Sequence, residues 1–237
     1  MKTLVLGASG ATGRLVVSQL INNGISTKVL IRSSATLPKE VSDNNDIEII
    51  KGNVNDYSTD QIRDLLIECD SVVSCLGHNI SFKGIFGKPH NLVYNAVRKV
   101  TDVLRESDGK KKFILMSTTA YTDKIHGEKE TFGESIVFAL LKLLLPPHTD
   151  NVNSGDYLFK IIRESEKFEW IAIRPDSLID ETIIGEYEIV NMKKRSPIFD
   201  PGKTSRGNVA HLMVELLSND KLWQSWKFKG PVIYNKE

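Results

Sequence analysis

Cysteine is nearly absent: Cys69 and Cys75 are the only two in 237 residues. That is too few for a disulfide framework and points to a reducing compartment. An excess of one charge is missing too, since 31 Lys and Arg stand against 30 Asp and Glu for a formal net charge of +1. Nothing in that balance supplies the basic field that nucleic acid binding needs, so no nucleic acid partner is expected. Long hydrophobic runs are also lacking. The most apolar stretch, 136–145, is interrupted by Lys142 and falls well short of the ~20 residues that span a bilayer. The first strand-like run follows Met1-Lys2 at once, which leaves no room for a cleavable signal peptide. Together these absences predict a cytoplasmic chain with no membrane partner, monomeric or homodimeric. The five histidines show no metal-ligand spacing, and no Gly-x-Ser-x-Gly elbow occurs, so neither a metal nor hydrolase chemistry is expected.

What is present is alternation. Apolar runs of strand length at Lys2–Leu6, 27–31, 47–50, 71–75, 113–116 and 170–173 are separated by segments of helical period. The clearest is 91–105, where Leu92, Val93, Ala96, Val97, Val100, Val103 and Leu104 form one stripe. Further helices are expected at 11–23, at 60–67, around 156–166 and after Asn208, with late strands at Tyr187–Val190 and 231–234. Strand-helix alternation requires right-handed parallel crossovers. The expected fold is therefore α/β, a Rossmann-type doubly wound, mostly parallel sheet with helices on both faces. Residues 1–237 read as a single domain, with 121–155 and 175–237 contributing a substrate region at the carboxyl edge of the sheet.

The chemistry starts at Gly7-Ala8-Ser9-Gly10-Ala11-Thr12-Gly13, which follows the first strand and opens the first helix. In that context Gly7 permits the sharp turn, Gly10 lets a pyrophosphate approach the backbone, and Gly13 seats the helix close to the sheet. The helix start offers unpaired N–H groups to the phosphates, and Ser9 and Thr12 add hydroxyl donors. The second strand ends in Arg32-Ser33-Ser34, where an NAD-binding unit carries an acid for the ribose hydroxyls. A guanidinium there pairs with a 2′-phosphate instead, and Arg14, one residue beyond the last glycine, can help. The expected cofactor is NADP(H), preferred over NAD(H).

Residues 7–14, 29–33, 52–54, 72–77, 113–118 and 171–175 resemble the atypical short-chain dehydrogenase/reductases of the NmrA-like group, with a flavin-reductase branch nearest in pattern. The resemblance implies that Asn53-Val54 flank the adenine, although the family usually has Asp where Asn53 stands. It implies that Cys75-Leu76-Gly77 line the cofactor near the ribose. It also implies that Ser117 and Thr118 lie beside the nicotinamide, and that Arg174-Pro175 end the sixth strand on the nicotinamide side.

Carbonyl reductases of this broad class use a Tyr with a Lys four residues later. Here Tyr157 and Lys160 are three apart, still on one helix face, as an approximate acid–base pair. A flavin-type reductase needs only ring positioning, with Thr118 near the nicotinamide. The functions in view are an NADPH-dependent oxidoreductase acting on a small carbonyl, quinone or flavin; a non-catalytic NADP(H) sensor; and, third, a nucleotide-sugar epimerase or dehydratase. The apolar run at 136–145 reads first as a core helix, with a lid or a subunit contact as the other readings.

Overall fold

The computed structural model describes residues 1–78 and 85–236. Its strands are β1 (Lys2–Leu6), β2 (Ser26–Ile31), β3 (Ile47–Lys51), β4 (Ser71–Ser74), β5 (Lys111–Met116), β6 (Phe168–Pro175), β7 (Ser177–Ile179), β8 (Tyr187–Val190), β9 (Lys203–Ser205) and β10 (Val232–Asn235). Eight of them form one sheet in the order β3-β2-β1-β4-β5-β6-β10-β8. The first seven positions pair in parallel, and β8 closes the edge antiparallel to β10. The order reverses between β1 and β4, which makes their carboxyl ends the topological switch point where ligands of open α/β sheets bind. This is the Rossmann-type doubly wound sheet expected from the sequence.

The helices are α1 (Gly13–Asn22), α2 (Lys39–Ser42), α3 (Thr59–Leu66), α4 (Leu92–Glu106), α5 (Phe132–Leu144), α6 (Pro146–Asp156), α7 (Arg206–Ser218) and α8 (Asp220–Trp226). Both faces of the sheet are covered because side chains alternate along a strand. On β1, Leu4 and Leu6 join the core shared with α3 and α4, while Val5 joins the core shared with α1 and α7. The apolar stripe of α4 is buried as its spacing predicts. Trp223 of α8 is fully buried and donates to Glu169 Oε2 at 2.6 Å, anchoring the end of the chain to β6.

Three expectations are corrected. The helix read around 156–166 lies earlier, over Pro146–Asp156, and continues only as a wide π-helical turn over Tyr157–Ile162. Pro146-Pro147 begin this helix rather than ending one, because a first-turn N–H has no intrahelical acceptor to lose. The 136–145 run is helical but not core: of α5, only Glu134 and Phe138 are buried. Finally, the region after residue 175 is not all edge. Helix α7 packs on α1 within a main layer, β8 and β10 extend the sheet, and only the β7–β9 ribbon stands apart just past β6. No helix among the described residues is long and apolar enough to cross a membrane.

Candidate functional site

The glycine turn connects β1 to α1 at the switch point. Gly7 has φ +75, and a Cβ on it would lie 2.7 Å from the carbonyl carbon of Cys75 at the end of β4. A Cβ on Gly13 would lie 2.2 Å from the Gly7 carbonyl oxygen. These two glycines let the turn fold on itself and against β4, whereas Gly10 and Ala11 are exposed. Within the turn, Gly10 N–H donates to Gly7 O and Arg14 N–H to Gly10 O, each at 3.0 Å. From Arg14 onward the amides of α1 are bonded back to Gly10 O and Thr12 O, so an anion would meet the helix at residues 11–13, where the helix dipole leaves a positively polarised rim.

Sequence reasoning missed one basic group at this rim. Arg206, first residue of α7, donates from Nη1 to Thr12 Oγ1 at 3.0 Å while its Nε donates to Asp180 Oδ1 at 2.6 Å. It is 194 residues away from Thr12, so no local pattern could have found it. Arg14, Arg32 and Ser33 are all exposed. Arg14 and Ser9 share a cleft of about 250 Å³ with Thr36, Leu37 and Pro38. The Asn53 side chain is turned inward, accepting from Asn55 N–H at 3.2 Å, and Val54 is buried.

Along the same carboxyl edge, β4 runs out into Cys75-Leu76-Gly77, with Gly77 exposed and open above its Cα. Burial pushes the Cys75 thiol up to about 12, so it supplies backbone and bulk rather than a nucleophile. Ser117 N–H donates to Ile173 O at 2.7 Å, and Thr118 Oγ1 accepts from Ala120 N–H at 3.1 Å. Among the described residues, the buried side-chain polar atoms without a partner are Asn55 Oδ1, Ser74 Oγ and Ser117 Oγ. They belong to the turn after β3, the last residue of β4 and the first residue past β5. Each unsatisfied group costs about 1–3 kcal/mol, and all three lie on the edge where an extended dinucleotide would run. The residues present therefore fit such a group.

Arg174 and Pro175 end β6 as expected, but both are buried. Arg174 is 0% exposed and offers a ligand no surface. Its guanidinium donates to Gly230 O, Tyr121 O, Glu128 Oε2 and Asn191 O. Pro175 is buried beside it, its carbonyl taken by Thr119 N–H. Tyr157 and Lys160 are not brought together. The buried Tyr157 hydroxyl donates to Asp102 Oδ1 at 3.2 Å on α4, and the exposed Lys160 ammonium pairs with Asp156 at 2.7 Å. Burial, with the Asp102 charge beside it, raises the Tyr157 phenol above its ordinary value, opposite to what a proton-relaying tyrosine needs. A buried pair the sequence did not reveal lies just past β4. His78 Nε2 is 2.7 Å from Asp150 Oδ2, and this fully buried carboxylate also accepts from Val93 and Tyr94 N–H at the start of α4.

The parallel sheet, its reversal of order and the glycine turn at that reversal define a dinucleotide-binding protein. A family described as NAD(P)H-binding matches residues 7–220. The chain belongs to that NAD(P)H-binding family. No curated protein matches it. Among solved structures, a protein described as a candidate NADH-flavin reductase from Streptococcus pneumoniae superposes with TM-score 0.68 at 17% identity, covering 100% of both chains. An anaerobilin reductase from Escherichia coli O157:H7 gives 0.70 at 14% identity, covering 100% of this chain and 98% of that one. A short-chain dehydrogenase/reductase from Veillonella parvula in complex with NADP gives 0.67 at 14% identity, covering 99% and 94%. At these identities the likeness is one of fold.

Proposed function

We propose that the protein is an NADPH-dependent reductase that passes hydride to a small acceptor, a flavin or quinone in preference to a carbonyl. The observation that carries this reading is the glycine turn packed on the end of β4 at the sheet's reversal point. In this reading the start of α1, with Ser9, Thr12 and Arg206, holds the diphosphate. Arg14, Arg32 and Ser33 hold the 2′-phosphate, with Asn53 and Val54 at the adenine. Residues 75–77 lie along the ribose, and Ser117 and Thr118 hold the nicotinamide amide and ribose. The reduced nicotinamide supplies two electrons and one proton's mass as hydride, and the second proton of the acceptor comes from water.

The preference for NADPH rests on charge. No carboxylate adjoins Arg32 in sequence, and both Arg14 and Arg32 reach solvent, where a 2′-phosphate gains two charge-assisted partners. The preference for a flavin or quinone rests on the dispersed Tyr157 and Lys160, which leave no tyrosine–lysine relay for a carbonyl oxygen. The neighbours named as an NADH-flavin reductase and an anaerobilin reductase agree with a reductase reading, and the first with a flavin acceptor. So does the NmrA-like pattern of the sequence.

The test is NADPH consumption by the purified chain with FMN, a small quinone and aldehydes, beside fluorescence titration of NADPH and NADH. Oxidation stimulated by FMN or the quinone is expected, and Arg32→Asp should raise the NADPH dissociation constant roughly 10- to 100-fold, the loss of one charged contact, while sparing NADH. Saturable NADPH binding with no acceptor reduced would instead favour a sensor.

A further inference from the structure

Helix α5 is apolar and yet lies on the outside. Its inner side is held by Phe138, which stacks on His148 at 5.8 Å and lies 5.7 Å from Lys193 Nζ. Outward it presents Phe132, Ile136, Leu140, Leu143 and Leu144, with exposures of 84% at Phe132 and 79% at Leu143. Positions 132, 136, 140 and 143 recur at the three- and four-residue spacing that puts side chains on one helix face. Phe199, itself exposed, continues the patch: its ring approaches to 3.1 Å of where a Cβ on Gly133 would sit. The two charged residues of the helix are off this face, since Glu134 is buried beneath it and Lys142 falls on its flank with Ser135.

We propose that this face is the contact between two copies of the chain, α5 against α5 across a twofold axis. Area is the first argument. The six exposed side chains amount to roughly 600–700 Å² of apolar surface, at or above the largest patch of an ordinary monomer. Two such patches buried together reach about 1,200–1,400 Å², the lower end of what stable interfaces bury. Self-complementarity is the second argument. A twofold axis beside Phe138 pairs positions equidistant from it, setting Phe132 against the partner's Leu143 and the partner's Leu144, and Ile136 against the partner's Leu140. Charge is the third argument. A helix seated on an anionic membrane carries Lys and Arg along its polar side; α5 has one Lys and one buried Glu.

Sedimentation velocity and light scattering on the full chain, from low to high micromolar, decide the matter. The expected result is a dimer that becomes a monomer in Leu140→Glu and in Ile136→Glu, with cooperative unfolding and NADPH binding retained because both residues reach solvent in the single copy, and with the thermal midpoint lowered only by the dimer's concentration-dependent contribution. The double variant Ile136→Cys/Leu140→Cys should form intermolecular disulfides under mild oxidation, since position 136 faces the partner's position 140 and the two native cysteines are buried. A wild-type chain that stays monomeric throughout, a dimer that survives both glutamates, or a monomer that co-floats with phosphatidylglycerol vesicles would each overturn the proposal.

Discussion

The hydroxyl of Tyr157 bears directly on which acceptor the proposed reductase would take. An acid–base tyrosine must face the substrate and be held below its ordinary pKa by a neighbouring cation. Here the ring sits in the core against Tyr94, with centroids 5.7 Å apart, the hydroxyl is spent on Asp102, and the phenol is shifted upward. Lys160, one helical turn on, is drawn to Asp156 instead. We therefore expect Tyr157→Phe to keep its turnover with flavin or quinone within about twofold of wild type. It should lose roughly 0.5–1.5 kcal/mol of stability, the value of one hydrogen bond. A fall in kcat of a hundredfold or more, with NADPH affinity intact, would sink this assignment and restore the relay. The same logic applies to Arg174, whose full burial could not be foreseen from its place at a strand end.

Secondary-structure elements were legible where a period, a cap or a turn residue repeats, and illegible where burial is decided by partners far along the chain. Strands β1 and β8 begin and end where the sequence puts them, and α4 buries its stripe. Strands β7 and β9 have three residues each, too few to show alternation. Helix α6 is polar and opens with Pro-Pro, so it reads as a loop until its N1 proline is recognised. Helix α5 has the opposite problem, since an apolar run does not say whether its cover comes from its own chain. Its start is nonetheless specified locally. Thr131 Oγ1 accepts from Glu134 N–H at 3.2 Å, and Glu134 Oε2 accepts from Thr131 N–H at 2.7 Å, a reciprocal capping box. Burial raises the Glu134 carboxyl, but the Thr131 amide and the Ser196 hydroxyl outweigh it, and the net shift is below the ordinary 4.5. A lowered folded-state value favours the charged form. Its stabilisation is present above 4.5 and is lost as pH falls through the folded-state value. Urea unfolding between about pH 5 and 3 should accordingly show a shallower pH slope for Glu134→Gln than for wild type. Identical slopes would mean that the carboxylate contributes nothing to the latch.

Across the molecule, one carboxylate ties distant segments together at one end of the sheet. Glu128, in the connection after β5, is 2.7 Å from Arg174 Nη1 on β6. It accepts from Asp123 N–H at 2.8 Å and from Lys193 N–H, just past β8, at 2.7 Å. Arg174 in turn donates to Gly230 O at the approach to β10. Four segments that are distant in sequence thus meet at a desolvated pair behind the carboxyl edge, and burial drives the nearby Lys193 ammonium below its ordinary pKa. Removing Arg174 leaves the buried Glu128 with only the Lys193 ammonium, at 3.9 Å, and breaking such a pair costs up to about 3–5 kcal/mol, a large share of the roughly 5–15 kcal/mol that holds a typical domain. Arg174→Met should therefore unfold at much lower urea. Adding Glu128→Gln should recover part of the loss, because the amide oxygen still accepts a backbone N–H while the stranded charge is gone. If the double variant proves no more stable than Arg174→Met, the penalty lies in lost packing and lost carbonyl contacts, and the buried charge is not what organises this end of the sheet.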